Sequence, residues 1–121
     1  MDVDEPVRLG VGLLARIAEP SISLAEAMDR IELVTTDPTI ARQILERAES
    51  EGIVVRDGSS LYVAEPNPLD FDADVIRREG SFTCRRCNSP LQEGWFLVLA
   101  GGELGPFGST CIRYVTGRSP P

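Results

Sequence analysis

The 121-residue sequence contains no histidine and no lysine. Without histidine there is no imidazole for general acid–base catalysis, for activating a serine or cysteine nucleophile, or for binding a metal ion. Without lysine there can be no Walker-type phosphate loop, and the glycine-rich segment 101–105 does not connect a strand to a dinucleotide-binding helix. We therefore expect that the protein is not an enzyme and has no small-molecule substrate.

Long apolar runs are also missing, since no segment approaches the roughly 18 consecutive apolar residues of a transmembrane helix. The acidic start, Met1 to Glu5, lacks the basic region of a secretory signal. These absences predict a cytoplasmic protein with no membrane partner. The length suits one ordinary domain or two very small ones.

Positive charge is scarce, because 12 arginines face 19 acidic residues and the formal net charge is −7. GC-rich codon usage together with an ordinary acidic pI is one interpretation. The other is adaptation to high salt. There a carboxylate-rich surface stays hydrated, and repulsion between like charges is screened beyond a Debye length of about 3 Å at 1 M. We favour the halophilic interpretation.

The chain is expected to divide at Pro66-Asn67-Pro68, because neither proline can donate a hydrogen bond to a sheet. Residues 1–66 contain 13 acids and 6 arginines, a net charge of −7, whereas residues 67–121 contain 6 of each. We predict a first domain at 1–66, a linker at 67–79 and a cysteine-containing module at 80–121.

Three helices are predicted in the first domain. The first begins at Asp4 or Glu5 and runs to about Ala18. Ser23 and Glu26 form a capping box for the second. The third begins with an N-cap in Thr36-Asp37, has proline at its first position and ends at Gly52.

A β-hairpin follows, with strands 53–56 and 61–64 around the turn 57–60. Three helices and a hairpin in this order predict a winged helix-turn-helix. The predicted fold class is therefore α+β: a winged helix-turn-helix followed by a treble-clef-like or zinc-ribbon-like module.

The outward face of the third predicted helix suggests binding to double-stranded DNA. Arginine can pair with guanine and glutamine with adenine in the major groove. The candidate DNA-binding residues are Thr39, Arg42, Gln43 and Arg47, with Glu46 beside them and Arg56 near the tip of the wing. The net charge of −7 opposes phosphate binding, but high salt weakens that electrostatic component for every DNA-binding protein.

We expect a transcription regulator, and a homodimer would match two DNA half-sites. The alternative is a protein-interaction adaptor of the transcription or nucleic-acid machinery that uses the winged-helix face.

The three cysteines suggest a structural zinc ion. Cys84 and Cys87 have C-x2-C spacing, and thiolates at this spacing can share one tetrahedral ion. Cys111 follows a predicted strand at 95–99 and lies in the first turn of a predicted helix, with Ser109 as its N-cap and its end near Gly117. A helix N-terminus stabilises a thiolate.

A C-x2-C knuckle, a hairpin and a cysteine at a helix start resemble a treble-clef zinc finger, but the second cysteine pair is incomplete. Gly108 and Tyr114 occupy the two positions at which the missing cysteine could stand. The fourth ligand could be a carboxylate, water, a group of a partner chain, or absent, and the candidate carboxylates are Glu79, Glu93 and Glu103.

Two other interpretations of the cysteines remain open. In one, the module folds without metal around a buried Cys111, and Cys84 and Cys87 form a reduced or occasionally oxidised pair. In the other, three-thiolate zinc activates water with Glu103 as the base, which is the one enzymatic alternative.

Several segments resemble an uncharacterised family of short haloarchaeal proteins, a domain of unknown function that spans nearly the whole chain. The similar segments are 84–87, 105–113 and 115–118 in the second half and 31–38 in the first. The C-terminal segment is the most specific of these. The resemblance implies a cytoplasm rich in potassium but no activity and no functional residues.

Overall fold

A computed structural model describes residues 4–116, which form five helices and six strands. The chain divides into two compact units, residues 1–68 and 69–121. The strands form two separate three-stranded antiparallel sheets, so the mixed α+β class is confirmed. No helix among the described residues is both long and apolar enough to cross a membrane.

Unit 1 contains three helices and one sheet. Its elements in chain order are α1 (Asp4–Leu14), β1 (Ser21–Ser23), α2 (Leu24–Ile31), α3 (Pro38–Ser50), β2 (Val54–Asp57) and β3 (Ser60–Val63). The predicted hairpin is confirmed as β2 and β3, whereas the short strand β1 was not predicted.

Local side-chain hydrogen bonds start the second and third helices where the sequence predicts. The Ser23 hydroxyl accepts a hydrogen bond from the Glu26 backbone N–H at 3.1 Å, and the Asp37 carboxylate accepts one from the Thr39 N–H at 2.9 Å. Each bond satisfies a backbone donor that the first helical turn leaves without a partner. Gly52, with φ of +75°, follows the end of α3 in the left-handed region.

Helix α1 ends at Leu14, earlier than the predicted Ala18. The Arg16 backbone N–H bonds to the Leu13 carbonyl at 3.0 Å, which tightens the last turn and stops the helix. The Arg16 side chain then donates to the carbonyls of Asn67 at 3.1 Å and Pro68 at 2.9 Å. The end of unit 1 is therefore hydrogen-bonded to the segment that follows its first helix.

The last strand in the sequence of unit 1 is the central strand of its sheet. The order is β1-β3-β2, with Ile22 opposite Leu61 and Val54 opposite Val63. Their inner faces join the helices in an aliphatic core whose fully buried members include Leu14, Ile17, Ile31, Ile44, Val54 and Leu61.

Gly10 allows α1 and α3 to approach closely. A Cβ atom at Gly10 would lie 2.3 Å from Cδ1 of Ile44. Glycine is unfavourable inside a helix by about 1 kcal/mol relative to alanine, but here it makes room for a buried side chain of the facing helix.

Unit 2 is a sheet with a short helix at each end of its sequence. Its elements are α4 (Phe71–Asp74), β4 (Val75–Thr83), β5 (Pro90–Leu99), β6 (Gly102–Phe107) and α5 (Ser109–Val115), with sheet order β4-β5-β6. Residues 67–79, predicted as a linker, thus include α4 and the start of β4. The core of the unit contains Leu97, Leu104, Phe107 and Ile112 together with the sulfur-bearing Cys84, each at most 1% exposed.

Candidate metal centre

The three cysteines of the chain come together at one end of unit 2. Their sulfur atoms all lie within 4.8 Å of one another. Cys84 follows β4, Cys87 lies in the turn before β5, and Cys111 lies in the first turn of α5. Cys84 and Cys111 are buried, Cys87 is exposed, and all three are free thiols.

A tight turn between β4 and β5 forms the C-x2-C knuckle. The Cys84 backbone N–H donates to the Ser89 carbonyl at 2.8 Å, and the Asn88 N–H donates to the Cys84 carbonyl at 2.9 Å. Asn88 has φ of +62°, a left-handed conformation that asparagine tolerates better than most residues. The turn thereby folds Cys87 back beside Cys84.

The N-cap of α5 is Gly108, so the prediction of Ser109 is wrong. Gly108 has extended backbone angles, φ −75° and ψ 167°, and Ser109 is already the first helical residue. The physical reason is a backbone hydrogen bond: the Gly108 carbonyl accepts from the Ile112 N–H at 2.9 Å, the first bond of the helix. The Gly108 N–H itself donates to Sγ of Cys84 at 3.4 Å. A Cβ at Gly108 would also lie 3.2 Å from Cδ2 of Leu91. Cys111 is in the first turn as predicted, and Gly117 lies outside the described residues.

Arg86, between the two knuckle cysteines, connects the sulfur cluster to Tyr114. Its Nη1 donates to Sγ of Cys111 at 3.7 Å, and its guanidinium carbon lies 3.9 Å from the centre of the Tyr114 ring. The hydrogen bond to Cys111 raises the pKa of Arg86 above its usual value. Sequence reasoning missed this contact, although Cys111 and Tyr114 have the i, i+3 spacing of neighbours on a helix.

The environments of the exposed and buried thiols differ. Hydrogen bonds with the Ser89 side chain, 3.3 Å away, and with the Ser89 backbone lower the pKa of Cys87 to about 6, with smaller contributions from Cys84 and Cys111. Burial raises the pKa of Cys111, and the hydrogen bond from Arg86 opposes this effect. Because a thiolate is the form that binds metal, Cys87 is more ready than Cys111 to bind a metal ion at neutral pH.

None of the predicted carboxylate ligands joins the cluster. Glu93 forms an ion pair with Arg77, and Glu103 accepts two hydrogen bonds from Arg78, one of them at 3.1 Å, which lower the pKa of Glu103. Glu79 lies opposite Glu93 in the β4–β5 register. Within residues 4–116, the group that could hold a metal ion consists of three sulfur donors alone.

This donor set fits a soft or borderline metal ion. Thiolates favour zinc, copper(I) and iron–sulfur clusters over magnesium or calcium. Two of the sulfurs already interact with hydrogen-bond donors, Cys84 with the Gly108 N–H and Cys111 with Arg86. Hydrogen bonds to charged groups are the stronger ones, and these two would stabilise negative charge on sulfur. Three cysteines therefore could hold a metal ion, with one further position of a tetrahedral ion to be filled from elsewhere.

The predicted DNA-binding residues belong to unit 1. All five side chains are exposed: Thr39, Arg42, Gln43 and Arg47 on α3, and Arg56 on β2. Arg47 forms an ion pair with Glu51 at 3.3 Å, one helical turn away. In the described part of the chain, Arg42 and Arg56 form no ion pair.

Comparisons with known proteins give one match. The model of a family described as "Family of unknown function (DUF5830)" matches residues 6–119. Neither the curated proteins nor the solved structures gave a match to the chain.

Proposed function

The chain belongs to the DUF5830 family of unknown function, and we propose that it is a DNA-binding transcription regulator with a structural zinc ion. In this proposal unit 1 is a winged helix-turn-helix and binds double-stranded DNA, whereas the zinc ion stabilises unit 2. The observation that carries the proposal is the polar, exposed face of α3 immediately before the β2–β3 hairpin.

The order of elements in unit 1 supports the winged-helix assignment. Helix α1, strand β1, helices α2 and α3 and the β2–β3 hairpin follow one another, and the hairpin closes a three-stranded sheet. In helix-turn-helix proteins the second helix of the motif enters the major groove, which here is α3. The core-facing side of α3 carries Ala41, Ile44, Leu45 and Ala48, so its other side is available to a partner.

Charge is the main argument against DNA binding, since residues 1–66 carry a net −7. A protein in a cytoplasm of molar potassium would lose much of the binding free energy that phosphate contacts supply. Its affinity for DNA would then depend mainly on contacts with the bases. Arg42 and Gln43 have the chemistry for such contacts. Arg47 would have to exchange its ion pair with Glu51, worth little at an exposed site, for a DNA contact.

The proposed zinc ion has a structural role because unit 2 has a small core. Cys84 is fully buried among the apolar side chains of the unit. One ion bound by Cys84, Cys87 and Cys111 would join the end of β4, the following turn and helix α5. In small modules such metal binding supplies much of the folding free energy. The fourth ligand would come from water or from a group outside the described residues.

Selection from random DNA duplexes in molar potassium chloride tests the DNA-binding proposal. We expect one enriched motif, palindromic if the protein binds as a dimer. Arg42→Ala should weaken binding to that motif by about 1–3 kcal/mol and relax selection at one base pair. Arg56→Ala should weaken binding to all sequences. Arg77→Ala, which removes an exposed arginine of unit 2, is the matched control and should have no effect.

One observation favours the alternative of a protein-interaction adaptor. Val55 and Tyr62 face each other across β2 and β3 and are 59% and 49% exposed. Paired apolar side chains on an open sheet face are typical of a surface that binds protein. If no DNA motif is enriched and Val55→Ser abolishes capture of a defined protein partner, the adaptor function replaces the regulator.

A further inference from the structure

The cysteine end of unit 2 is unusual in an acidic chain because it contains no carboxylate. Residues 84–92 and 104–116 contain three arginines, Arg85, Arg86 and Arg113, and no aspartate or glutamate. The nearest acids in sequence, Glu93 and Glu103, are paired with Arg77 and Arg78 of β4. Even with three thiolates and one divalent ion, a charge of −1, the three arginines leave this end at +2.

The exposed side chains of this end form a surface that we call the Arg–Tyr surface, made of Arg86, Thr110, Arg113 and Tyr114. Tyr114 is 64% exposed although Arg86 lies over its ring. Arg86 is held in place by its hydrogen bond to Cys111. Thr110 is four residues before Tyr114 on α5, and so both lie on one side of that helix.

We propose that the Arg–Tyr surface binds single-stranded nucleic acid, with an unpaired base stacked on Tyr114 and phosphates contacted by Arg113 and Arg86. A base needs an accessible aromatic ring, which Tyr114 offers, and a backbone needs positive charge without nearby carboxylates. Aromatic side chains beside arginines are the recurrent means of binding single strands. A base that stacks on Tyr114 would extend the existing stack of Arg86 on the same ring.

An acidic peptide would be attracted by the same charges but would make no use of a flat, exposed ring. The net charge therefore admits both partners, and the geometry of Arg86 and Tyr114 favours the nucleic acid. The site lies wholly in unit 2, so it is independent of the proposed contact between α3 and duplex DNA.

Fluorescence anisotropy with the full-length, zinc-loaded protein tests the proposal. The probes are labelled 12-residue single strands of DNA and of RNA with mixed sequence, together with the matching DNA duplex and an acidic peptide of similar charge. We expect the single strands to bind and Tyr114→Ala to weaken this binding roughly 10-fold or more. Tyr114→Phe keeps the ring and should restore most of the affinity.

Arg113→Gln provides a second readout, because a lost phosphate contact should lower the slope of log affinity against log salt by about 0.7. Val98→Ala removes an exposed apolar side chain of β5 in the same unit and is the matched control. Zinc content and the circular dichroism spectrum establish that each variant is folded.

The proposal is overturned if folded Tyr114→Ala binds single strands as well as the unmodified protein does. It is equally overturned if the protein binds no single strand, or binds the acidic peptide more tightly. Arg56→Ala distinguishes this result from failure of duplex binding, since it should weaken binding to a duplex of any sequence and leave binding to the single strand unchanged.

Discussion

The two units of this protein are built by different physical means. Unit 1 has an aliphatic core shared by three helices and a sheet, and its segment 1–66 carries the whole net charge of −7. Unit 2 has one sheet, a seven-residue helix α5 and three clustered cysteines, and residues 67–121 are neutral overall. Thus the unit with the larger apolar core tolerates self-repulsion, whereas the unit with the smaller core has, at one end, three clustered cysteines that could hold a metal ion.

Loss of the metal should produce the largest difference in stability between the two units. We expect Cys84→Ser to release zinc and unfold unit 2, while unit 1 keeps its helices, because the ion would hold three elements of unit 2 together. Trp95 is the sole tryptophan and lies in β5, so its fluorescence reports on unit 2. Far-ultraviolet circular dichroism reports mainly on the helices of unit 1.

A strong chelator added to the unmodified protein should likewise unfold unit 2 and leave unit 1 folded. Protein that contains no metal, yet shows a cooperative tryptophan transition, would contradict the structural role of zinc.

Substitution of a glycine at a close contact in each unit should give the next largest difference in stability. Gly10→Ala in α1 should lower the free energy of unfolding by about 1–3 kcal/mol, since its Cβ would overlap Ile44. Gly105→Ala in β6 should cost more, because its Cβ would lie 2.7 Å from the backbone carbonyl oxygen of Trp95, which cannot rotate away. Urea denaturation followed by both signals would measure the two effects.

Ile44→Val in the Gly10→Ala background should recover part of the lost stability, because it removes one of the overlapping methyl groups. A Gly10→Ala protein more stable than the original would mean that helix propensity outweighs the contact.

The hydrogen bonds of Cys87 should produce a smaller effect, confined to unit 2. They lower the pKa of Cys87 to about 6. The stability that this ionisation adds is fully present above the ordinary thiol pKa of about 8.5 and is lost as the pH falls from there through about 6. Ser89→Ala should raise the pKa, and zinc should then be released at a higher pH because protons compete for the ligand.

A zinc-sensitive dye measures this release as the pH is lowered, and Ser81→Ala on β4 is the control. An unchanged release midpoint in Ser89→Ala would show that the Ser89 hydroxyl does not stabilise the thiolate.

The smallest difference concerns salt. Because the acids outnumber the arginines in residues 1–66 and match them in residues 67–121, added potassium chloride should raise the melting temperature of unit 1 by a few degrees more than that of unit 2. Thermal melts at constant zinc, from dilute buffer to molar potassium chloride, would measure both. Equal responses of the two units would remove the halophilic interpretation of the charge.

The accuracy of the sequence predictions follows the same division. In unit 1 the starts of α2 and α3 depend on residues within one turn, Ser23 with Glu26 and Asp37 with Thr39, and these were predicted correctly. Strand β1 was missed because it is three residues long and is defined by pairing with Leu61, far along the chain. Sheet pairing of this kind leaves little local pattern.

In unit 2 the sequence predicted the cysteine cluster but not its surroundings. Strand β4 was missed because its middle, Arg77 to Ser81, is polar and exposed and lacks the alternating pattern of a half-buried strand. Ser109 was predicted as the N-cap from its side chain, but Gly108 takes this position without a side-chain hydrogen bond, and its N–H bonds to Cys84, 24 residues away. The cysteines can be recognised in the sequence from their residue type and spacing. The groups that hydrogen-bond to them come from distant parts of the chain and depend on the tertiary fold.

The strand order of unit 1 has a consequence for synthesis on the ribosome. Strands β1 and β2 both pair only with β3 within their sheet, and β3 is the last of the three to be made. While Ser60–Val63 is still inside the exit tunnel, the two earlier strands have no partner and only the helices can associate. N-terminal domains fold as units during translation, and the sheet of this one would close in a single late step, when its central strand emerges.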